Sequence, residues 1–287
     1  MPVVRAIAPC STSNIGPGFD TLGLALSRYV EVTVDEHDGP LLVETFGDGA
    51  DLPADRSHLA AQIAMEVLGH DRLHITVRSD IPVGRGLGSS ASLAVAAAAA
   101  AGSPDPLGWG QRIDHHPENA AASCLGGLVA ATVIDGEPMA VRLALDPGLT
   151  FVAVIHDRHL PTAAARAALP ATVPLADAGF NLSRLGVLIA ALADLRLMTP
   201  RLLDDRLHQD ARAATLYPEA PPMLAGLVAA GALGSCWSGA GPTLLAICDG
   251  ADVAEQVRAM GERLLAAHAL PGRSLTLAPD HLGLRIE

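Results

Sequence analysis

The stretch PVGRGLGSSASLAVAAAAAAG, residues 82–102, holds the first pattern that chemistry could use. Gly84, Gly86 and Gly88 stand at alternate positions, and glycine admits conformations closed to other residues and lets a ligand approach the backbone. Ser89 and Ser90 follow, then a block of alanine, the strongest helix former. A helix start offers unpaired N–H groups and the positive end of a dipole, so this loop suits an anion such as phosphate. The same residues also read as a surface turn closed by a serine cap. Three more stretches gather glycine, small polar residues and charge beyond the needs of packing. PCSTSNIGPGFDTLGLAL contains Asn14 and Asp20, DHHPENAAASCLGG contains Asp114, His116, Glu118 and Asn119, and SCWSGAGPTLLAI places a glycine turn between strands. Asn14 and Asp20 also fit turns built on side-chain-to-backbone bonds. Asp114, His115, His116 and Glu118 lack the ligand spacing of a zinc site.

Composition narrows the chemistry. All nineteen basic residues are arginine, and the chain contains no lysine. That excludes a Walker A loop and Schiff-base catalysis, both of which need the amine. Any phosphate on GRGLGSSAS is therefore held by amides, hydroxyls and arginine, and the G-x-G-x-G spacing is not the dinucleotide fingerprint. A formal net charge of −12 argues against nucleic acid as a partner. Four cysteines, far apart and without a CxxC pair, suit reduced thiols in a cytosol, with Cys10 expected to pack. The longest apolar run, Leu93 to Ala101, falls short of the roughly 20 residues of a membrane span. The N-terminus lacks the pattern of a signal peptide, so a soluble, cytoplasmic protein without a membrane partner is expected.

These residues need a scaffold to place them. At 287 residues the chain is long enough for one large or two medium domains. Hydrophobic residues make up 50% but aromatics only 3%, so the core must be built from Ala, Leu and Val. VVRAIAP, RYVEVTVDE, GPLLVETF and LHITVRS alternate like strands, and SHLAAQIAMEVLG has helical periodicity with Gly69 as its stop. SCLGGLVAATVI and PMAVRLAL read as paired strands turning at DGE, residues 135–137. DPGL, residues 146–149, marks the boundary between domains at 1–148 and 149–287. Beyond it lie the strand TFVAVIH, a long helix around FNLSRLGVLIAALADL, helices across 200–231, the strand TLLAICDG, the helix DVAEQVRAMGERLLAAH and the strand SLTLAP. Strands and helices mix in both halves without strict alternation, which implies an α+β fold.

P-x-x-x-G-L-G-S-S-A before a helix resembles the phosphate-binding motif of the GHMP kinases, SNIGPGFDTLGLAL resembles their first motif and SGAGPTLLAI their third, all in the family's order. Within that superfamily, HPENAAASCLGGLV, PTAAARAALP, FNLSRLGVL and LHQDARAA are most similar to homoserine kinases. The resemblance implies a ribosomal-protein-S5-like α/β N-terminal domain and a ferredoxin-like C-terminal domain. It implies ATP- and Mg²⁺-dependent phosphorylation of the side-chain hydroxyl of L-homoserine by direct in-line transfer, and a homodimer. By the same resemblance Asn14, Asp20, His116 and Asn119 face the amino-acid substrate, and Arg166 and Arg212 hold its carboxylate. Asn14, Asp20, Arg166 and Thr162 are the expected catalytic set. The nucleotide is expected on Pro82, Gly84, Arg85, Gly86, Leu87, Gly88, Ser89, Ser90, Ala91 and Ser92, with His58 near the adenine. Ser90 and Asp114 are the expected metal ligands, with Thr162 close by. An arginine fork suits a carboxylate through two charge-assisted bonds. Phosphoryl transfer asks mainly for positioning and charge stabilisation, and no carboxylate here reads as a general base.

The chain departs from the family in two places. Only GSPDPLGWGQRID separates the alanine helix from HPEN, and Pro104 and Pro106 bar a continuous helix through it. Asp114 stands where the family carries a glutamate, one methylene longer. A kinase of another hydroxy amino acid such as threonine shares these motifs, because one methyl group discriminates by only about 1–3 kcal/mol. A ligand sensor that keeps the fold without catalysis is the alternative of another class. A hydrolase using Ser238 or Ser90 lacks the nucleophile elbow.

Overall fold

Two long strands, β1 (Val4–Asn14) and β2 (Gly18–Glu36), pair antiparallel and form the spine of the first sheet. A computed structural model describes residues 4–287. β3 (Leu42–Gly47) runs parallel to β4 (Leu73–Ser79), and β4 pairs antiparallel with β2. Between them α1 (Leu59–Leu68) starts at His58, whose ring caps the helix, and stops at Gly69 in the left-handed region. α2 (Ser89–Ala100) follows the glycine loop, and Ala91, Ala94 and Ala96–Ala98 are fully buried. Their single methyl groups let the helix lie close against both β1 and β2.

The short connection behaves as its prolines dictate. α2 ends at Ala100, and α3 (Pro106–Asp114) begins with Pro106 in the first turn, capped by the Asp105 carboxylate on the Gly108 N–H. α4 (Pro117–Leu125) opens on Pro117 directly afterwards. SCL, read from the sequence with the following strand, is instead the last turn of α4, because the left-handed break falls later, at Gly126 and Gly127. β5 (Leu128–Ile134) and β6 (Glu137–Leu143) form the expected hairpin, with Asp135 and Gly136 both at positive φ.

β7 (Leu149–His156) opens a second sheet. α5 (Thr162–Ala167), α6 (Leu175–Ala193), α7 (Gln209–Leu216) and α8 (Ala220–Ala229) come next. β8 (Gly234–Trp237), β9 (Leu244–Asp249), α9 (Gly250–Ala267) and β10 (Gly272–Leu277) complete that sheet in the order β10-β7-β9-β8, all antiparallel. The chain then returns to the first sheet, where β11 (Arg285–Ile286) pairs with β1. α6 has 19 residues and a mean hydropathy of 1.4, long and apolar enough by length and composition alone to cross a bilayer. Asp177, Asn181 and Arg184 interrupt its apolar sequence, so it contains no long unbroken apolar run. Leu188 and Leu192 on its inner face belong to the core.

Candidate active site

One cleft gathers residues from both sheets. Ser13, Asn14 and Asp20 come from the first two strands, three glycines and two serines from the glycine loop, Asp114, His116, Glu118 and Asn119 from the α3–α4 corner, Leu160, Thr162 and Arg166 from α5 and its approach, Arg212 from α7, and Gly239–Gly241 from the turn after β8. The α3–α4 corner is sharp for a local reason. His115 sits in the left-handed region at φ 62°, ending α3, and Pro117 starts α4 two residues later. Asp114, His116 and Glu118 thereby reach the same cleft.

The glycine loop is shaped as an anion cradle. Gly84, Gly86 and Gly88 all have positive φ. A Cβ on Gly86 would lie 2.4 Å from the Ser238 carbonyl oxygen and 2.9 Å from that of Gly241, so the loop presses against the turn after β8. The N–H groups of Gly86 through Ser90 donate to no acceptor among the described residues. Ser238, fully buried, donates to the Gly86 carbonyl at 2.6 Å and lies 2.8 Å from Thr12 Oγ1. Committed to the loop, Ser238 is no nucleophile. The side chains of Pro82, Arg85, Leu87, Ala91 and Ser92 are not among those lining the cleft. Leu87 and Ala91 are core, Ser92 bonds back to the Gly88 and Ser89 carbonyls, and Arg85 donates to Val83. The motif mixes residues that face a ligand with residues that hold the loop.

Across the cleft, Arg166 grips Asp20 through two bonds of 2.9 Å, Nη1 to Oδ2 and Nη2 to Oδ1. The His116 Nε2 also meets Arg166 Nη2, and burial first, then Arg166, holds the ring below its usual pKa despite Asp20. Arg212 is buried and donates to the carbonyls of Ala165 and Gly239 and to His208 Nδ1, while its Nη2 bonds to nothing among the described residues. Burial lowers this guanidinium to about 10, still a cation at neutral pH. Asn14, expected to face a ligand, spends both ends of its amide in the fold. Its Nδ2 donates to Gly239 at 2.7 Å and its Oδ1 accepts the Asp20 N–H at 3.0 Å. Asn119 does likewise with Ser11 and Ser13. Thr162 stands exposed at the first turn of α5, on the rim.

Two carboxyls face the cleft without a compensating cation. Burial pushes Asp114 up to about 6 and Glu118 up to about 7, and Glu118 Oε2 has no hydrogen-bond partner. An orphaned buried carboxylate is costly unless a cation joins it. With the Ser90 hydroxyl on the same cleft, the donor set is hard oxygen, which suits Mg²⁺ held by one or two carboxylates and phosphate oxygens. No cluster of three metal-ligating side chains exists among the described residues. In the sequence Glu118 is an ordinary acidic residue in the first turn of a helix. Only its burial marks it out.

The family models for the GHMP kinases N terminal domain and the GHMP kinases C terminal region match residues 56–127 and 182–265. The homoserine kinase of Moorella thermoacetica is 38% identical, with 99% of each chain covered. The chain belongs to the GHMP kinases. The homoserine kinase of Limosilactobacillus fermentum is 35% identical over 99% of this chain and 100% of its own. The crystal structure of homoserine kinase from Cytophaga hutchinsonii has the same fold, with a TM-score of 0.88 at 24% identity, covering 100% of this chain and 98% of that one. The α+β fold of this kinase is thus that of the family, and ATP is its phosphoryl donor.

One feature beneath the cleft makes the kinase pH-sensitive in stability. His208 is buried, donates from Nε2 to the Gly16 carbonyl at 3.0 Å and accepts from Arg212 on Nδ1, a pattern that requires a neutral ring. Burial, reinforced by Arg212 against the pull of Asp205, pushes its pKa well below the usual histidine value. The unfolded chain binds this proton below about pH 6.5 while the folded chain refuses it, so stability falls as pH drops through and below that value. Denaturant titrations between pH 7 and 5 should show the unfolding free energy declining, this group contributing at most ~1.4 kcal/mol per pH unit. The contribution should vanish in His208→Gln.

Proposed function

We propose that this kinase transfers the γ-phosphoryl group of ATP to the side-chain hydroxyl of L-homoserine, giving O-phospho-L-homoserine for threonine biosynthesis. The observation that carries the reading is a single cleft that offers an anion cradle on one wall and matched cations and carboxylates on the other. Relatives that bear the name homoserine kinase, at 38% and 35% identity over nearly the whole chain, agree with it. The same reading extends to a cytoplasmic homodimer whose two domains join near residue 148.

The unpaired amides of Gly86–Ser90 and the positive end of α2 hold the ATP phosphates. Ser90 and Asp114, with Glu118 behind them, are the side chains that hold Mg²⁺, which when bound neutralises charge on the phosphates. Arg166 and Arg212 take the substrate carboxylate and Asp20 its ammonium. Asp20 and Arg166 are already paired, so a zwitterion entering between them exchanges one ion pair for two. A molecule with only one of the charges would leave a partner uncompensated, which favours an amino acid over a simple alcohol. Asn14 fixes the Asp20 backbone, Asn119 ties α4 to β1 beside the acceptor, and His116 and Thr162 close the acceptor end. The acceptor oxygen forms its bond to the γ-phosphorus as the bond to the bridging oxygen breaks. The hydroxyl proton leaves late to a phosphate oxygen, so no side-chain base is required.

ADP release by the purified enzyme with ATP and Mg²⁺ tests the reading, with L-homoserine, L-threonine and L-serine compared. A preference for homoserine is expected. Turnover with threonine alone would move the substrate, and ATP binding without turnover would make the chain a sensor. Asp114→Ala should fold normally and lose at least ~10²-fold in kcat, because removing a transition-state charge contact costs roughly 3 kcal/mol. Wild-type turnover in this variant would remove Asp114 from the metal site.

A further inference from the structure

Arg166 and Arg212 meet at the cleft from separate helices, α5 and α7, and carry the same charge. Like charges brought together away from water disfavour each other. Burial first, then Arg166, lowers the Arg212 guanidinium, with Asp20 and Asp205 pulling the other way. Asp20 bonds directly to Arg166, whereas Arg212 donates to two carbonyls and to a neutral histidine.

Phe19 touches both cations. The Arg166 Cζ lies 5.1 Å from the centroid of its ring and the Arg212 Cζ 5.7 Å. The face of an aromatic ring carries negative potential and attracts a guanidinium within about 6 Å. The imidazole of His208 stacks on the same ring, with centroids 5.1 Å apart and planes inclined by 23°. His208 is in turn tied to the Gly16 carbonyl and to Arg212 Nη1. The backbone around Phe19 is also held. The Asp20 N–H donates to Asn14 Oδ1 at 3.0 Å, and Thr21 Oγ1 donates to the Phe19 carbonyl at 3.1 Å. One ring on β2, a strand of the first sheet, thus gathers two cations carried by helices that follow the second sheet's first strand.

We propose that Phe19 positions the clamp for the substrate carboxylate, its ring holding the guanidinium groups of Arg166 and Arg212 at a spacing from which both reach one carboxylate. The proposal rests on the amino-acid reading of the cleft given above and adds a group that touches no substrate. The Phe19 side chain is not among those lining the cleft, so it acts through the two arginines.

Fluorinated phenylalanines incorporated at Phe19 test this, since each fluorine draws electron density from the ring face with little change in volume. Along the series phenylalanine, 4-fluoro-, 3,5-difluoro- and 3,4,5-trifluorophenylalanine, the KM for L-homoserine should rise stepwise, by about three- to tenfold overall. The KM for ATP and the melting temperature should stay level and kcat should change less than about twofold, the signature of lost binding shared by ground and transition states. Phe19→Leu, which keeps the bulk and removes the ring, should raise the homoserine KM at least as far as the trifluoro ring does. Phe19→Tyr, which keeps an aromatic face, should stay within about twofold of wild type. A homoserine KM that stays flat across the fluorinated series while Phe19→Leu raises it would make the ring ordinary packing and overturn the proposal. A KM for ATP that climbs in parallel would overturn it too. If the wild type turns over threonine or serine in place of homoserine, the substrate assignment fails and the same series is read with that amino acid. A wild type that turns over none of the three overturns the amino-acid reading and the proposal together.

Discussion

Arg166→Ala is expected to lower kcat/KM for L-homoserine by about 10²–10³-fold, with the KM for ATP changed little. Once the substrate carboxylate covers Arg166 and excludes water, losing the guanidinium that pairs with it costs roughly 2–5 kcal/mol, and the orientation of Asp20 is lost with it. Stability should barely move. The Arg166–Asp20 pair is partly exposed, at 38% and 30% for the two side chains, and such pairs contribute at most about 1 kcal/mol. Arg166→Lys should recover only part of the activity, because an ammonium cannot reproduce the two-pronged bond. Initial rates over a homoserine series and a thermal melt decide the matter. A kcat/KM within threefold of wild type would take Arg166 out of the substrate site.

Gly86→Ala is the second large effect, and it strikes both affinity and stability. The backbone at Gly86 has φ 79°, a conformation that costs a residue with a side chain roughly 1–2 kcal/mol. The added methyl would also meet backbone, at 2.4 Å from the Ser238 oxygen and 2.9 Å from the Gly241 oxygen, so no side chain can rotate away to make room. The loop must shift, and with it the amides that face the phosphates. ATP affinity is expected to fall by at least ~10²-fold and the melting temperature by roughly 5–10 °C, from a total destabilisation of several kcal/mol. Calorimetric titration with ATP and a melt read both. Gly69→Ala is the control: φ is again positive, at 78°, but nothing lies within 4 Å of the new methyl, so only the conformational cost should appear.

Where the chain's own chemistry fixes conformation locally, the sequence was sufficient. Glycines at alternate positions demanded positive φ in the loop, Pro106 and Pro117 set the starts of two helices, and Asp135–Gly136 made the hairpin turn. The lack of lysine limited phosphate binding to amides, hydroxyls and arginine. The motifs also brought the right residue types into view, because each motif is short and its parts act together. Pairings across long stretches of chain were decided by packing alone. Asp20 and Arg166 are 146 residues apart, and nothing in either neighbourhood says that they clasp each other. Asn14 and Asn119 line the cleft, but only the fold shows that one donor and one acceptor of each amide are also spent on Gly239 and Asp20, or on Ser11 and Ser13. Glu118 looks like an ordinary first-turn glutamate until burial leaves one oxygen without a partner. Local sequence specifies backbone angles, whose energies depend on adjacent residues, whereas the free energy of a charge or an amide depends on what surrounds it after folding.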